Sequence, residues 1–152
     1  MNIKILLQAA TMIVVSSWII GCASTGMKPE ERTDAYNAYI VSEKLEPLKH
    51  ITAFKFDSLS SLGQNHLIIK TAFNKPYLIT LKTRCYDLPM AMNIGIANTG
   101  STLHAGFDAI MVNRNIPQKC YIESIYKITK KQKQAIQDIG DADPEEKKPE
   151  VK

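Results

Sequence analysis

Short runs of mainly apolar residues recur through the middle of the chain, with polar segments between them. The runs are rich in β-branched and aromatic residues, and turn-forming residues separate them, which is typical of β-strands. In one run, Tyr77, Ile79 and Leu81 occupy every second position, so their side chains are expected to face a core. The predicted strands are residues 51–56, 67–71, 77–82, 92–97, 102–104, 109–112 and 121–128.

Two other segments have helical spacing. Tyr36, Tyr39 and Ile40 recur at helix-like intervals before a proline, which predicts a short amphipathic helix over residues 33–46. A second helix is predicted over residues 129–139. Short strands with a helix near each end predict a mainly β domain, a small antiparallel barrel or sandwich with a short N-terminal helix and a short C-terminal helix. The order of the strands stays open.

The first 21 residues have a different pattern. Lys4 is their only charged residue, and an apolar run extends from Ile5 to Ile20. This profile predicts a signal peptide, because the run is shorter than the roughly 20 residues that a transmembrane helix needs.

The residues at the end of this run resemble the lipobox of bacterial lipoproteins. They read Ile19-Ile20-Gly21-Cys22, with branched aliphatic residues, a small residue and then a cysteine. The resemblance implies cleavage before Cys22 and lipid attachment to its thiol, and two or three acyl chains would make the anchor effectively permanent. Since Ala23, and not an aspartate, follows the cysteine, the resemblance implies the periplasmic face of the outer membrane.

Composition divides the rest of the chain into three parts. Residues 22–32 contain no hydrophobic period and are predicted to form an acylated tether. Residues 33–139 form the predicted single domain. Residues 140–152 are rich in charge and proline, and we expect a disordered tail.

Two cysteines remain once Cys22 is assigned to the lipid. Cys85 and Cys120 form an even pair in an oxidising compartment, without metal-type partners nearby, which predicts a structural disulfide. A redox-active pair would instead be expected in a Cys-x-x-Cys arrangement.

The formal net charge is +4, and the densest cluster of basic residues lies near the C-terminus. This cluster could meet phosphates, but there is no aromatic interleaving and no nucleic-acid-binding motif, so we interpret it as a solvated helix face and predict no nucleic-acid partner. The cluster consists of Lys127, Lys130, Lys131 and Lys133.

The candidate functional residues are Asp87, His104 and Asp108. If they converge, they could form an acid/base group, whereas positions in turns would explain both aspartates without chemistry. His50 and His66 lack the spacing of metal ligands, and no phosphate loop, dinucleotide fingerprint or nucleophile elbow occurs in the sequence. No metal and no cofactor are therefore predicted.

Four blocks of the sequence resemble a known family. The most specific are the Cys-x-x-Leu-Pro block at Cys85 and the Gly-Phe-Asp block at Gly106, which is followed by Cys120. In their order, these blocks resemble a family of small exported proteobacterial proteins, the domain of unknown function DUF6491, over about residues 48–135. The resemblance implies a fold and no activity. The blocks are residues 77–81, 85–95, 106–112 and 120–125.

Two functions of different classes agree with these observations. The first is a non-catalytic envelope lipoprotein, held to the membrane through its N-terminal lipid, whose β domain binds an envelope protein or a small ligand. The second is an enzyme that acts on an envelope substrate through Asp87, His104 and Asp108, and it requires those side chains to converge.

Overall fold

The computed structural model describes residues 27–52, 55–72, 74–98, 100–113 and 116–141. The predicted signal peptide, Cys22 and the tail beyond residue 141 lie outside the described residues. The helices are α1 (Pro29–Ser42) and α2 (Lys130–Asp141), and Leu88–Met90 form one 3-10 turn. The strands are β1 (Pro47–Leu48), β2 (His50–Ile51), β3 (Phe56–Ser61), β4 (His66–Thr71), β5 (Lys75–Leu81), β6 (Asn93–Ala97), β7 (Leu103–His104), β8 (Ala109–Asn113) and β9 (Gln118–Lys127).

The strands form a nearly closed, barrel-like antiparallel sheet, which confirms the predicted fold class. Their order is β3-β4-β5-β9-β8-β6, and β1 pairs with β9 in addition. A separate two-stranded sheet joins β2 to β7. Strand β9 connects the two halves of the large sheet, because its first residues pair with β8 and its last residues pair with β5.

A register shift helps β9 to fill the interior. The pairing of β5 with β9 shifts between Thr80 and Leu81, so the inward-facing positions of β9 change there. As a result, Ile122 and Ile125, three residues apart, both lie in the barrel core. Tyr77, Ile79 and Leu81 also lie in this core, as predicted.

A second core lies between the outer face of the sheet and the two helices. Ile68 of β4 and Leu78 of β5 point outward and pack with Tyr36 of α1 and Ile136 of α2. Strands β4 and β5 are therefore covered on both faces, which explains why their sequences are almost continuously apolar.

The predicted bounds of the first helix are wrong by four residues at each end. The helix begins at Pro29, and proline is tolerated there because an N–H group in the first turn has no intrahelical partner. The backbone N–H of Lys28 donates to the side chain of Glu31. It ends at Ser42 because Lys44 adopts a left-handed conformation with φ of 50°. Residues 29–32, assigned above to the tether, are thus helical.

The structure also corrects one strand and the start of the tail. The predicted strand over residues 51–56 is divided, and β3 instead continues through a serine-rich segment to Ser61. Helix α2 continues to Asp141, so Gly140 and Asp141 are helical. The hydroxyl of Thr129 accepts from the backbone N–H of Gln132, which fixes the start of α2.

Candidate functional site

Two histidines meet across the small sheet formed by β2 and β7. His50 lies directly opposite His104 in the antiparallel register, and the centroids of their rings are 5.7 Å apart. The pair is a product of the fold, since sequence spacing gave no reason to join these residues.

Asp108 fixes the turn that follows His104. The buried carboxylate accepts a hydrogen bond of 2.6 Å from the backbone N–H of His104, and the same oxygen lies 3.4 Å from Nδ1 of the ring. Gly106 lies in this turn with φ of 87°, a conformation that favours glycine, and its N–H donates to Ile122 of β9. The interpretation of Asp108 as a turn residue is therefore supported by its hydrogen bond.

A cavity of about 550 Å³ opens beside the two histidines. Leu48, Ala105 and the exposed ring of Phe107 give it an apolar wall, while Glu123 and Ser124 of β9 line the other side. This volume is in the range of small-molecule sites. We call it the histidine cavity, and its lining consists of Pro47, Leu48, Lys49, His50, His104, Ala105, Gly106, Phe107, Glu123 and Ser124.

The cavity holds part of an acid/base arrangement. Asp108 faces Nδ1 of His104, an orientation that would leave the other ring nitrogen to take up a proton. Ser124 lines the same cavity, but within the described part of the chain its hydroxyl makes no hydrogen bond with His104. Asp108 itself borders a neighbouring cavity of about 320 Å³ and not the histidine cavity.

Asp87, the third candidate, lies in a different part of the molecule. It immediately precedes the 3-10 turn, and its neighbours Tyr86 and Pro89 line a separate cavity of about 420 Å³ with Arg32. None of the cavities described above is lined by Asp87 together with His104. The fold thus brings His104 and Asp108 together, without Asp87.

The predicted disulfide is present between Cys85 and Cys120. The two Cα atoms are 5.8 Å apart, and both residues are buried in the barrel core. The bond attaches the loop after β5 to strand β9. In the chain-entropy model, closing a loop of this length stabilises the fold by about 3 to 4 kcal/mol.

His66 has a role that the sequence did not reveal. Its ring is buried against Tyr36, with centroids 5.3 Å apart, and Nε2 lies 3.1 Å from Oδ1 of Asn37 on α1. Burial lowers the pKa of His66 to about 4. The neutral ring therefore links β4 to α1. In the sequence, the only sign of this contact is a histidine directly before an apolar run.

The described residues contain neither a candidate metal cluster nor a helix that could span a membrane. No group of three or more histidine, cysteine, aspartate or glutamate side chains there could hold a metal ion. Neither of the two described helices is long and apolar enough to cross a membrane.

Comparison with known proteins yields one match. No curated protein and no solved structure is significantly similar to the chain. A family model described as a family of unknown function, DUF6491, matches residues 3–141. This match extends further toward the N-terminus than the four sequence blocks and includes the apolar segment before Cys22. The chain therefore belongs to the DUF6491 family.

Proposed function

We propose that this protein is a lipid-anchored, non-catalytic component of the bacterial envelope. In this proposal its β domain binds an envelope protein or a small ligand, and an apolar group of that partner occupies the histidine cavity. The single observation that supports it most is the cavity itself, which combines an apolar wall with two adjacent imidazole rings on the small sheet of β2 and β7.

The state of Asp108 favours binding over catalysis. Its carboxylate is buried and already accepts the backbone N–H of His104, so it stabilises the turn that shapes the cavity. An activated serine nucleophile would donate a hydrogen bond to the histidine, and the hydroxyl of Ser124 makes no such bond with His104. The residues around the cavity thus have a structural explanation that requires no reaction.

The lipid anchor is proposed from the sequence. Cys22 follows the apolar segment at the lipobox position, and that segment lies within the family match. Acylation there would place the domain on the periplasmic face of the outer membrane. Intact-mass analysis of the protein from membranes should show acyl chains on a polypeptide that begins at Cys22. The Cys22→Ala protein should carry no acyl chains and should be absent from the acylated fraction.

Photo-crosslinking in cells tests the binding site. Benzoylphenylalanine at position 107, on the rim of the cavity, should give one defined adduct. The same group at Val41 is an appropriate control, because Val41 is equally accessible on α1 but lies outside the cavity lining. Ala105→Phe, which adds volume to the cavity wall, should abolish the adduct while the protein stays folded. Equal adducts from both positions would contradict the proposal.

An enzyme is the second candidate, favoured by the contact between Asp108 and His104 beside Ser124. His104→Gln and Asp108→Asn conserve much of the shape of the turn but remove an imidazole or a carboxylate. In a strain that lacks the protein, a variant that still forms the position-107 adduct should restore the wild-type phenotype if the domain only binds. A variant that keeps this adduct and still behaves like the deletion would instead favour catalysis.

A further inference from the structure

The loop after β5 presents apolar side chains to solvent from a rigid base. Cys85 and Leu88 are fully buried and fix the loop to the barrel, with the disulfide as an additional constraint. Between and beyond these anchors, Tyr86, Met90 and Met92 are 63%, 69% and 98% exposed. Exposed large apolar side chains at such short spacing mark an interaction surface more often than isolated ones do.

The N-terminal end of α1 completes this surface. Met27 and Pro29 line the 420 Å³ cavity together with residues of the loop. A salt bridge of 2.9 Å between Arg84 and Glu30 joins the loop to the helix. We call this surface the Tyr86 face, and it consists of Met27, Pro29, Tyr86, Pro89 and Met90.

The chain length before Met27 limits how far this face can be from the proposed anchor. Four residues lie between Cys22 and Met27, and the five steps from one Cα atom to the next span at most about 18 Å in a fully extended chain. If Cys22 is acylated at the bilayer surface, the Tyr86 face must therefore stay close to that surface.

The charges around the face are balanced. Lys28, Arg32 and Arg84 lie near Glu30, Glu31 and Asp87 in the sequence segments that form it. A lipid contact here would thus depend on apolar contacts more than on net charge, so it should not require anionic lipid or low salt.

Arg32 adds a polar group that suits a lipid headgroup. Its half-buried side chain lines the cavity. A guanidinium group donates hydrogen bonds to phosphate oxygens in matching geometry, and a lipid headgroup supplies such oxygens.

The geometry points to the Tyr86 face as a membrane-contact surface that orients the domain on the lipid bilayer. This inference rests on the acylation of Cys22 in the proposed function and deepens it. Because the acyl chains would already hold the protein on the membrane, the contribution of the face is to set the orientation of the domain.

Fluorescence quenching by brominated lipids tests this inference on the acylated protein that begins at Cys22. Trp18 is the only tryptophan in the sequence, and the proposed cleavage before Cys22 removes it, so the acylated protein has no tryptophan background. Tyr86→Trp then places a probe on the face, and Val41→Trp is its exposed control. Val41 lies about 18 Å from Pro29 along the axis of α1.

In phosphatidylcholine vesicles with brominated acyl chains, we expect the Tyr86→Trp protein to lose about half of its emission, since interfacial apolar groups reach about 5–10 Å into the bilayer. The Val41→Trp protein should lose little of its emission. Met90→Ser should reduce the quenching of the Tyr86→Trp probe, whereas high salt should leave that quenching unchanged. Met92→Trp is a second probe at a position where a substitution disturbs no packing.

The outcomes separate the two proposals. Equal quenching at positions 86 and 41, on a chain that mass analysis shows to be acylated, would overturn the membrane-contact inference and leave the anchor intact. An unmodified Cys22 would overturn both, because the limit on chain length would no longer apply.

Discussion

His66 and His104 are the same residue type in two regions that use it differently. His66 lies under α1, buried between the sheet and the helix, where burial lowers its pKa to about 4. His104 lies in a two-stranded sheet beside an open cavity, with 41% of its side chain exposed. The comparison indicates that helix cover buries the first histidine in a core, whereas the uncovered second histidine stays accessible from the cavity.

The largest expected difference between the regions is in stability. Ile136→Ala removes a fully buried side chain from the core below the helices and should lower the free energy of unfolding by about 2 to 5 kcal/mol. Phe107→Ala, at the histidine cavity, should change it by less than about 0.5 kcal/mol, because Phe107 is 83% exposed. Denaturant unfolding measures both, and equal losses would remove the contrast.

The next prediction concerns acid. The pKa of His66 is about 4 in the folded protein and about 6.5 in the unfolded chain, so between these values the unfolded chain binds the additional proton. Stability should therefore be fully present above pH 6.5 and fall by up to about 3 kcal/mol as the pH drops to about 4.

His66→Gln should flatten this pH dependence, since glutamine does not titrate. His104→Gln is the matched control at the cavity and should leave the dependence on His66 intact. Unfolding curves measured across the acid range provide the comparison. The same slope in the His66→Gln protein and in the wild type would show that burial of His66 does not limit stability in acid.

A smaller effect is expected where α2 approaches α1. A Cβ atom at Gly140 would lie 2.5 Å from the hydroxyl oxygen of the buried Tyr36. Gly140→Ala should therefore destabilise the protein by about 1 kcal/mol, even though alanine favours a helix over glycine by a similar amount. Lys131→Ala, on an exposed position of the same helix, should be nearly neutral in thermal melts. A stabilised Gly140→Ala protein would show that the two helices pack less closely there.

The elements predicted best are those whose own residue types determine their structure. Strands β4 and β5 are apolar because both of their faces are buried, and α2 has a threonine at its start. Strand β3 was missed because it lies at the edge of the sheet, where serines replace apolar residues. The end of α1 depends on the left-handed conformation of Lys44, which its residue type does not favour.

The candidate site was only partly predictable for a similar reason. His104 and Asp108 are close in sequence, so their contact through one turn could be anticipated. His50 meets His104 through the pairing of β2 with β7, and His66 is buried by a helix from a distant part of the sequence. Long-range packing determines both contacts, and a local pattern cannot show it.

The most direct test is an NMR titration of the imidazole groups in the unacylated chain from residue 23 onward. With a neutral apolar probe such as N-phenylnaphthylamine, the ring signals of His50 and His104 should shift saturably, while those of His66 should stay constant. The account predicts this selectivity because only the first two rings line the cavity. If the probe shifts none of the three rings, or shifts all of them equally, the histidine cavity is not the binding site.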